Sequence, residues 1–214
     1  MLKFLLLQNQ FSRDLINIGK PNKYLKSSVM SHRSAILIDN FLPEDTFNNI
    51  ALTVAQSPAY RDGKVHDYVR DDFWKKVTLL VLARMSEIGL HRDHFFAATE
   101  ITNFSYNQFR PQNYGHGNFN GPHMDNGSYV YYIHPHWDEN WEGKLKLTEA
   151  VEEQYRNGIH ATPNRFIWMN PDVIHDVTTT SANAEHSRVT NLGFQGGCFD
   201  ENPVGVDYIN IFTN

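Results

Sequence analysis

At 214 residues, with 41% hydrophobic and 20% charged side chains, the chain has the make-up of one globular domain with a substantial core, which excludes a disordered or fibrous protein. A formal charge of -5 and the lack of any long basic run exclude phosphate backbones and anionic membranes as natural partners. Cys198 is the only cysteine, so no internal disulfide and no thiolate-rich zinc or iron–sulfur site can form, and a reducing compartment, the cytoplasm, is expected.

In chain order, the apolar run at 1–7 is cut short by Gln8-Asn9-Gln10 with no cleavage site behind it. It reads as a short amphipathic helix packed on the domain, not a signal peptide, and no stretch is long enough to span a bilayer. Pro43-Glu44-Asp45 opens a helix whose apolar face is Phe47, Ile50, Ala51 and Val54, and Ser57-Pro58 stops it. The polar stretch 60–72 reads as an exposed loop. Trp74, Val77, Thr78, Val81, Leu82 and Met85 then mark a second amphipathic helix, which Gly89 ends. The front half is therefore expected to be helical.

From Thr99 the apolar period shortens towards two. Segments 101–106, 129–133, 145–147, 166–169 and 188–194 read as strands separated by Gly, Pro and Asn clusters, and 149–155 as a helical surface insertion. The expected fold is α+β but mainly β. A helical support (1–98) packs on a double-stranded β-helix core of the jelly-roll or cupin type (99–197), followed by a C-terminal extension (198–214), all in one domain.

The chemistry lies in the back half. His-x-Asp occurs three times, at His91-Arg92-Asp93, His123-Met124-Asp125 and His136-Trp137-Asp138, among 11 histidines. Two ligands at i and i+2 converge on one metal only from a strand. The first triplet follows a helix end and the last lies in a connection. The middle one follows Gly121-Pro122 and precedes an aromatic strand, so it is the best placed. Of the later histidines, His160, His175 and His186, His175 follows the strand 166–169 and the turn Asn170-Pro171-Asp172 and can begin a returning strand with its ring inward. His123, Asp125 and His175 then form two imidazoles and a carboxylate, the facial triad that holds non-haem Fe(II) with three positions open. Arg188 on the next strand can pair bidentately with a carboxylate, and Thr190 shares its face. A 2-oxoglutarate chelating the iron would be gripped in this way.

These residues resemble the Fe(II)/2-oxoglutarate-dependent dioxygenases, particularly the prolyl-4-hydroxylase-like branch, over most of the chain from Ile36 to Phe194. The front half is similar through Ile38-Asp39-Asn40-Phe41-Leu42-Pro43. The back half is similar through His123 and Asp125, Trp141-Glu142-Gly143-Lys144-Leu145, Pro163-Asn164-Arg165-Phe166-Ile167-Trp168 with His175-Asp176-Val177, and Arg188-Val189-Thr190-Asn191-Leu192-Gly193-Phe194. The resemblance implies a cosubstrate contact for Tyr106, for which a core aromatic is the alternative. Glu142 stands where the family has the first of two glycines, and Thr190 where it has serine. The implied activity is hydroxylation of an unactivated C–H bond with O2, releasing succinate and CO2. Asp125 favours hydroxylation over halogenation, while desaturation, epoxidation and demethylation would use the same ligands.

Two other classes fit the residues: a cupin-like metal-dependent dioxygenase that does not use 2-oxoglutarate, and a non-catalytic barrel acting as a binding protein. The glycine-rich segment 113–121 reads as a flap beside the metal. Tyr114, Asn118 and Trp137 are candidate substrate contacts, for a small molecule, an amino acid or a peptide side chain.

Overall fold

The computed structural model describes residues 34–61, 72–90, 120–125, 127–194 and 202–212. The expected helix at 1–7, the strand at 101–106, His91, Tyr106, Tyr114, Asn118, most of the 113–121 segment and Cys198 lie outside these residues.

The first described element is a strand, β1 (Ala35–Ile38), where the sequence suggested only helices. Its four apolar residues do not alternate with polar ones because both faces are covered. Ile36 and Ile38 pack towards the helices, while Ala35 and Leu37 pack towards the second sheet. Burying Ile36, Leu37 and Ile38 contributes about 1.5–3 kcal/mol each.

Helix α1 (Glu44–Gln56) follows with Glu44 and Asp45 in its first turn, where the helix dipole favours them, and buries the expected Phe47, Ile50, Ala51 and Val54. It stops at Ser57, which is extended as a residue before proline prefers. A single turn, α2 (Pro58–Arg61), leads on. Helix α3 (Asp72–Glu87) buries Val77, Thr78, Val81, Leu82 and Met85. Gly89 ends it with φ +77, the amide of Gly89 donating to the Ser86 carbonyl and that of Leu90 to the Met85 carbonyl, a Schellman closure.

The remaining strands are β2 (Asn120–His123), β3 (Ser128–Tyr132), β4 (Leu145–Leu147), β5 (Phe166–Met169), β6 (His175–Val177), β7 (Thr190–Phe194) and β8 (Ile209–Asn210). A short helix α4 (Glu153–Asn157) sits between β4 and β5, within and just beyond the expected 149–155 insertion. The strands form a five-stranded sheet, β7-β3-β5-β1-β8, and a three-stranded sheet, β2-β6-β4, with every pairing antiparallel. The architecture is mixed α+β, and the two sheets are compatible with a β-sandwich. From β2 to β7, successive strands alternate between the sheets. Within the expected 198–214 extension, β8 pairs with β1 and forms one edge of the larger sheet.

Two apolar clusters flank the larger sheet. One joins α1, α3 and the outer face residues Tyr129, Tyr131, Phe166 and Trp168. The other lies between the sheets and contains Val130, Tyr132, Ile167, Met169, Leu145, Leu147 and Val177. Since i and i+2 share a face, His175 points with Val177 towards the inter-sheet side. Val189 belongs to the helix-side cluster and Leu192 packs on the inter-sheet one, which puts Arg188 and Thr190 on the inter-sheet face.

Candidate metal centre

β2 and β6 are paired so that His123 lies directly opposite His175. Directly opposed residues of an antiparallel pair project to one side, so the register itself brings the imidazoles together, with ring centroids 4.2 Å apart. The register slips by one residue between Asn120 and His123, an irregularity of the kind that re-aims side chains near functional sites.

Asp125 lies two residues beyond His123 but outside the strand, which ends at His123. The expectation of two ligands on one continuous strand is therefore corrected. The carboxylate follows β2 directly, and its Oδ2 stands 3.3 Å from His175 Nε2. Ligand atoms of His123, Asp125 and His175 all lie within 4.8 Å of one another, and this is the one group of three or more potential metal ligands found among the described residues. An octahedral face with bonds of about 2.1 Å has donor–donor edges of about 3 Å, so the carboxylate–imidazole edge already has ligand dimensions.

The backbone also sets the imidazole tautomers. His123 Nδ1 lies 2.7 Å from the carbonyl of Gly121, and His175 Nδ1 lies 3.0 Å from that of Val173. A carbonyl can only accept, so each Nδ1 carries the proton and each Nε2 presents its lone pair, the usual outer-sphere arrangement of metal-binding histidine. His175 is buried and the other two are half-buried, so the cluster opens to solvent on one side. Burial raises the pKa of Asp125, but the neighbouring His175, Ser128 and His123 side chains outweigh it and hold the carboxyl below its ordinary value. The group is ionised and ready for a cation. The donor set fits a divalent transition metal with open coordination positions.

Arg188 is 2% exposed and lies just before β7 instead of on it. Its Nη1 donates to the Gly143 carbonyl at 2.6 Å, and its guanidinium carbon is 5.7 Å from the Tyr132 ring centroid. Thr190 is buried opposite Tyr132 in the β3–β7 register. Gly143 and Glu142 both have positive φ, 66 and 58, so the Trp141-Glu142-Gly143 corner has the backbone of a glycine pair although only one is glycine.

Trp137 is buried, donates its indole N–H to the Glu142 carbonyl at 2.9 Å and packs edge-on against Trp141. Its triplet lies in a connection, as expected, with the Asp138 carboxylate accepting from the Asn140 amide. Three residues near Arg188 that the sequence did not single out are His134, Tyr132 and Thr180. His134 is fully buried: its Nε2 donates to the Ala161 carbonyl at 2.6 Å, and its Nδ1 accepts from the Val189 amide at 3.2 Å. Burial, followed by the nearby Arg188 charge, pulls its pKa down to about 4 despite the carbonyl contacts. Nothing in the sequence distinguishes Tyr132 from the neighbouring Tyr129 and Tyr131, or Thr180 from other threonines.

No protein-family model matches the chain, and no curated protein matches it either. No helix among the described residues is long and apolar enough to cross a membrane.

Proposed function

We propose that this chain is an Fe(II)- and 2-oxoglutarate-dependent oxygenase that hydroxylates an unactivated C–H bond of a small molecule, an amino acid or a peptidyl side chain. The observation that carries the reading is the pairing of two features on the facing inter-sheet sides of the two sheets. A convergent two-histidine, one-carboxylate cluster stands at one end, and a buried guanidinium with a threonine hydroxyl stands towards the other. The alternation of β2 to β7 between two antiparallel sheets supports a double-stranded β-helix as the underlying fold.

In this reading His123 Nε2, a carboxylate oxygen of Asp125 and His175 Nε2 hold the iron. Arg188 and Thr190 seat the distal carboxylate of 2-oxoglutarate. Ser128, Val130 and Tyr132 of β3 share the inter-sheet face, and from Ser128, three residues after Asp125, to Tyr132, opposite Thr190, the strand rises about 13 Å. A five-carbon diacid together with an arginine side chain covers that span. Bound iron and 2-oxoglutarate supply the oxidising chemistry, in which O2 is consumed, 2-oxoglutarate becomes succinate and CO2, and the substrate gains a hydroxyl. The protein's own part is placement: the backbone carbonyls of Gly121 and Val173 lock the imidazoles, and the inter-sheet core keeps water from the diacid. The substrate enters from the half-buried side of His123 and Asp125. The single cysteine and negative charge suit a cytoplasmic enzyme acting on neither nucleic acid nor membrane.

The test is an anaerobic titration of Fe(II)-loaded protein with 2-oxoglutarate, followed by a succinate-release screen over amino acids and peptides. A weak visible charge-transfer band and succinate formation are expected. Well-folded protein that gives neither overturns the proposal. Turnover without succinate that survives Arg188→Ala would assign the chain to the cupin-like dioxygenases that do not use 2-oxoglutarate.

A further inference from the structure

Ser128 opens β3 three residues after the candidate ligand Asp125 and is 3% exposed. It shares the inter-sheet face with Val130 and Tyr132 and is directly opposed to Met169 in the β3–β5 register, so its immediate packing is apolar. Its hydroxyl is buried and completes no hydrogen bond among the described residues. Such a group costs about 1–3 kcal/mol, and alanine would fill the position without that cost. Yet the hydroxyl lies close enough to the Asp125 carboxylate to act on it as a donor. What the carboxylate needs, and not packing, accounts for a serine here.

An ionised carboxylate has two oxygens and can only accept. In Asp125, Oδ2 faces His175 Nε2 at 3.3 Å, on the side where the three donor atoms converge. Asp125 lies beyond the end of β2 and is half-buried, so the strand ladder does not fix how its carboxylate is turned. Left to itself, it can offer a cation one oxygen or both. We propose that Ser128 is a positioning residue that donates to the second oxygen of Asp125 and holds the carboxylate to a single metal bond. The difference decides the coordination count. Two imidazoles and one oxygen fill three positions of an octahedron, whereas a second oxygen fills a fourth and leaves only two open. A chelating 2-oxo acid takes two positions, and oxygen needs a third. The proposal rests on the metal-centre and oxygenase reading. It gives the open face a cause that the three ligands alone do not supply.

The test uses the full chain titrated with Co(II) under anaerobic conditions, read by equilibrium affinity and by the visible ligand-field bands, which follow the number and kind of bound donors. Ser128→Ala is expected to weaken Co(II) binding by about tenfold, the scale of a lost outer-sphere partner, and to change the bands as the second oxygen joins the metal. Ser128→Thr keeps the hydroxyl and should restore both. The melting temperature of the metal-free Ser128→Ala protein should stay level or rise, since no complete hydrogen bond is lost. Unchanged affinity or unchanged bands in Ser128→Ala overturns the proposal and leaves the metal centre intact. A fall in metal-free stability makes the serine structural and overturns it too. Wild-type protein that binds no Co(II) overturns the metal centre and the proposal together.

Discussion

Both polar ends of the Asn164 side chain are spent on the backbone of Leu42. Oδ1 accepts from the Leu42 amide at 3.0 Å, and Nδ2 donates to the Leu42 carbonyl at 2.9 Å, across 122 positions of sequence. Oδ1 also accepts from the Tyr131 hydroxyl at 2.8 Å. One amide thus joins the approach to α1 with the approach to β5 and with β3, inside the core. Asn164→Ala strands a buried N–H, a buried carbonyl and a phenol, and should cost about 3 kcal/mol. Urea unfolding of the metal-free protein checks this, and a loss below about 0.5 kcal/mol would show that water replaces the amide.

His134 makes stability depend on mild acid. Its folded pKa of about 4 lies below the ordinary 6.5, so the unfolded chain binds the proton first. The contribution is fully present above pH 6.5, declines as the pH falls towards 4 and is constant below it, a total on the order of 3 kcal/mol. Unfolding free energies measured from pH 7.5 to 4 should fall along this curve, and His134→Gln should flatten it. An unchanged slope in that variant would remove His134 as the source.

The Trp141-Glu142-Gly143 corner stores strain at its middle residue. Glu142 has φ 58 and ψ -136, a region that glycine enters readily and other residues do not. Its side chain gains only a half-exposed contact with Lys144, at 3.2 Å. Glu142→Gly should therefore raise stability by about 1 kcal/mol, read as a higher thermal midpoint. Gly193 sets the opposite limit. A Cβ there would fall inside the Tyr129 ring, so Gly193→Ala should destabilise by about 1–3 kcal/mol as β3 and β7 are pushed apart.

In the proposed oxygenase, Arg188 would act on cosubstrate binding and not on metal binding. Arg188→Met keeps a long apolar stem in the core but removes the charge, and it should raise the half-saturating 2-oxoglutarate concentration by about two orders of magnitude. Metal affinity should stay within about twofold, because no ligand is changed. Equal loss of both, seen by parallel titrations, would show that Arg188 supports the fold more than the diacid.

Helices α1 and α3 were legible because apolar residues at helical spacing, a proline stop and a Gly89 closure are local signals. β1 was not, since Ala35-Ile36-Leu37-Ile38 shows no period when both faces are buried, and it lies immediately before a strong helix signal. The convergence of His123, Asp125 and His175 was legible from His-x-Asp, a turn and a returning strand. What the sequence misplaced was the manner of convergence, for the register slip in β2 and the step of Asp125 off the strand depend on pairing with β6. Ser128, Tyr132 and Thr180 stayed hidden because a buried hydroxyl that completes no hydrogen bond is a property of surroundings assembled from several elements.

The most direct test of the central claim is equilibrium binding of Fe(II) under anaerobic conditions to the wild-type chain and to His123→Ala, Asp125→Ala and His175→Ala. One ion per wild-type chain and a loss of at least about a hundredfold in affinity in each variant are expected, with all three still folded by circular dichroism. Fe(II) bound equally well by the wild type and by any one of these variants would contradict the claim.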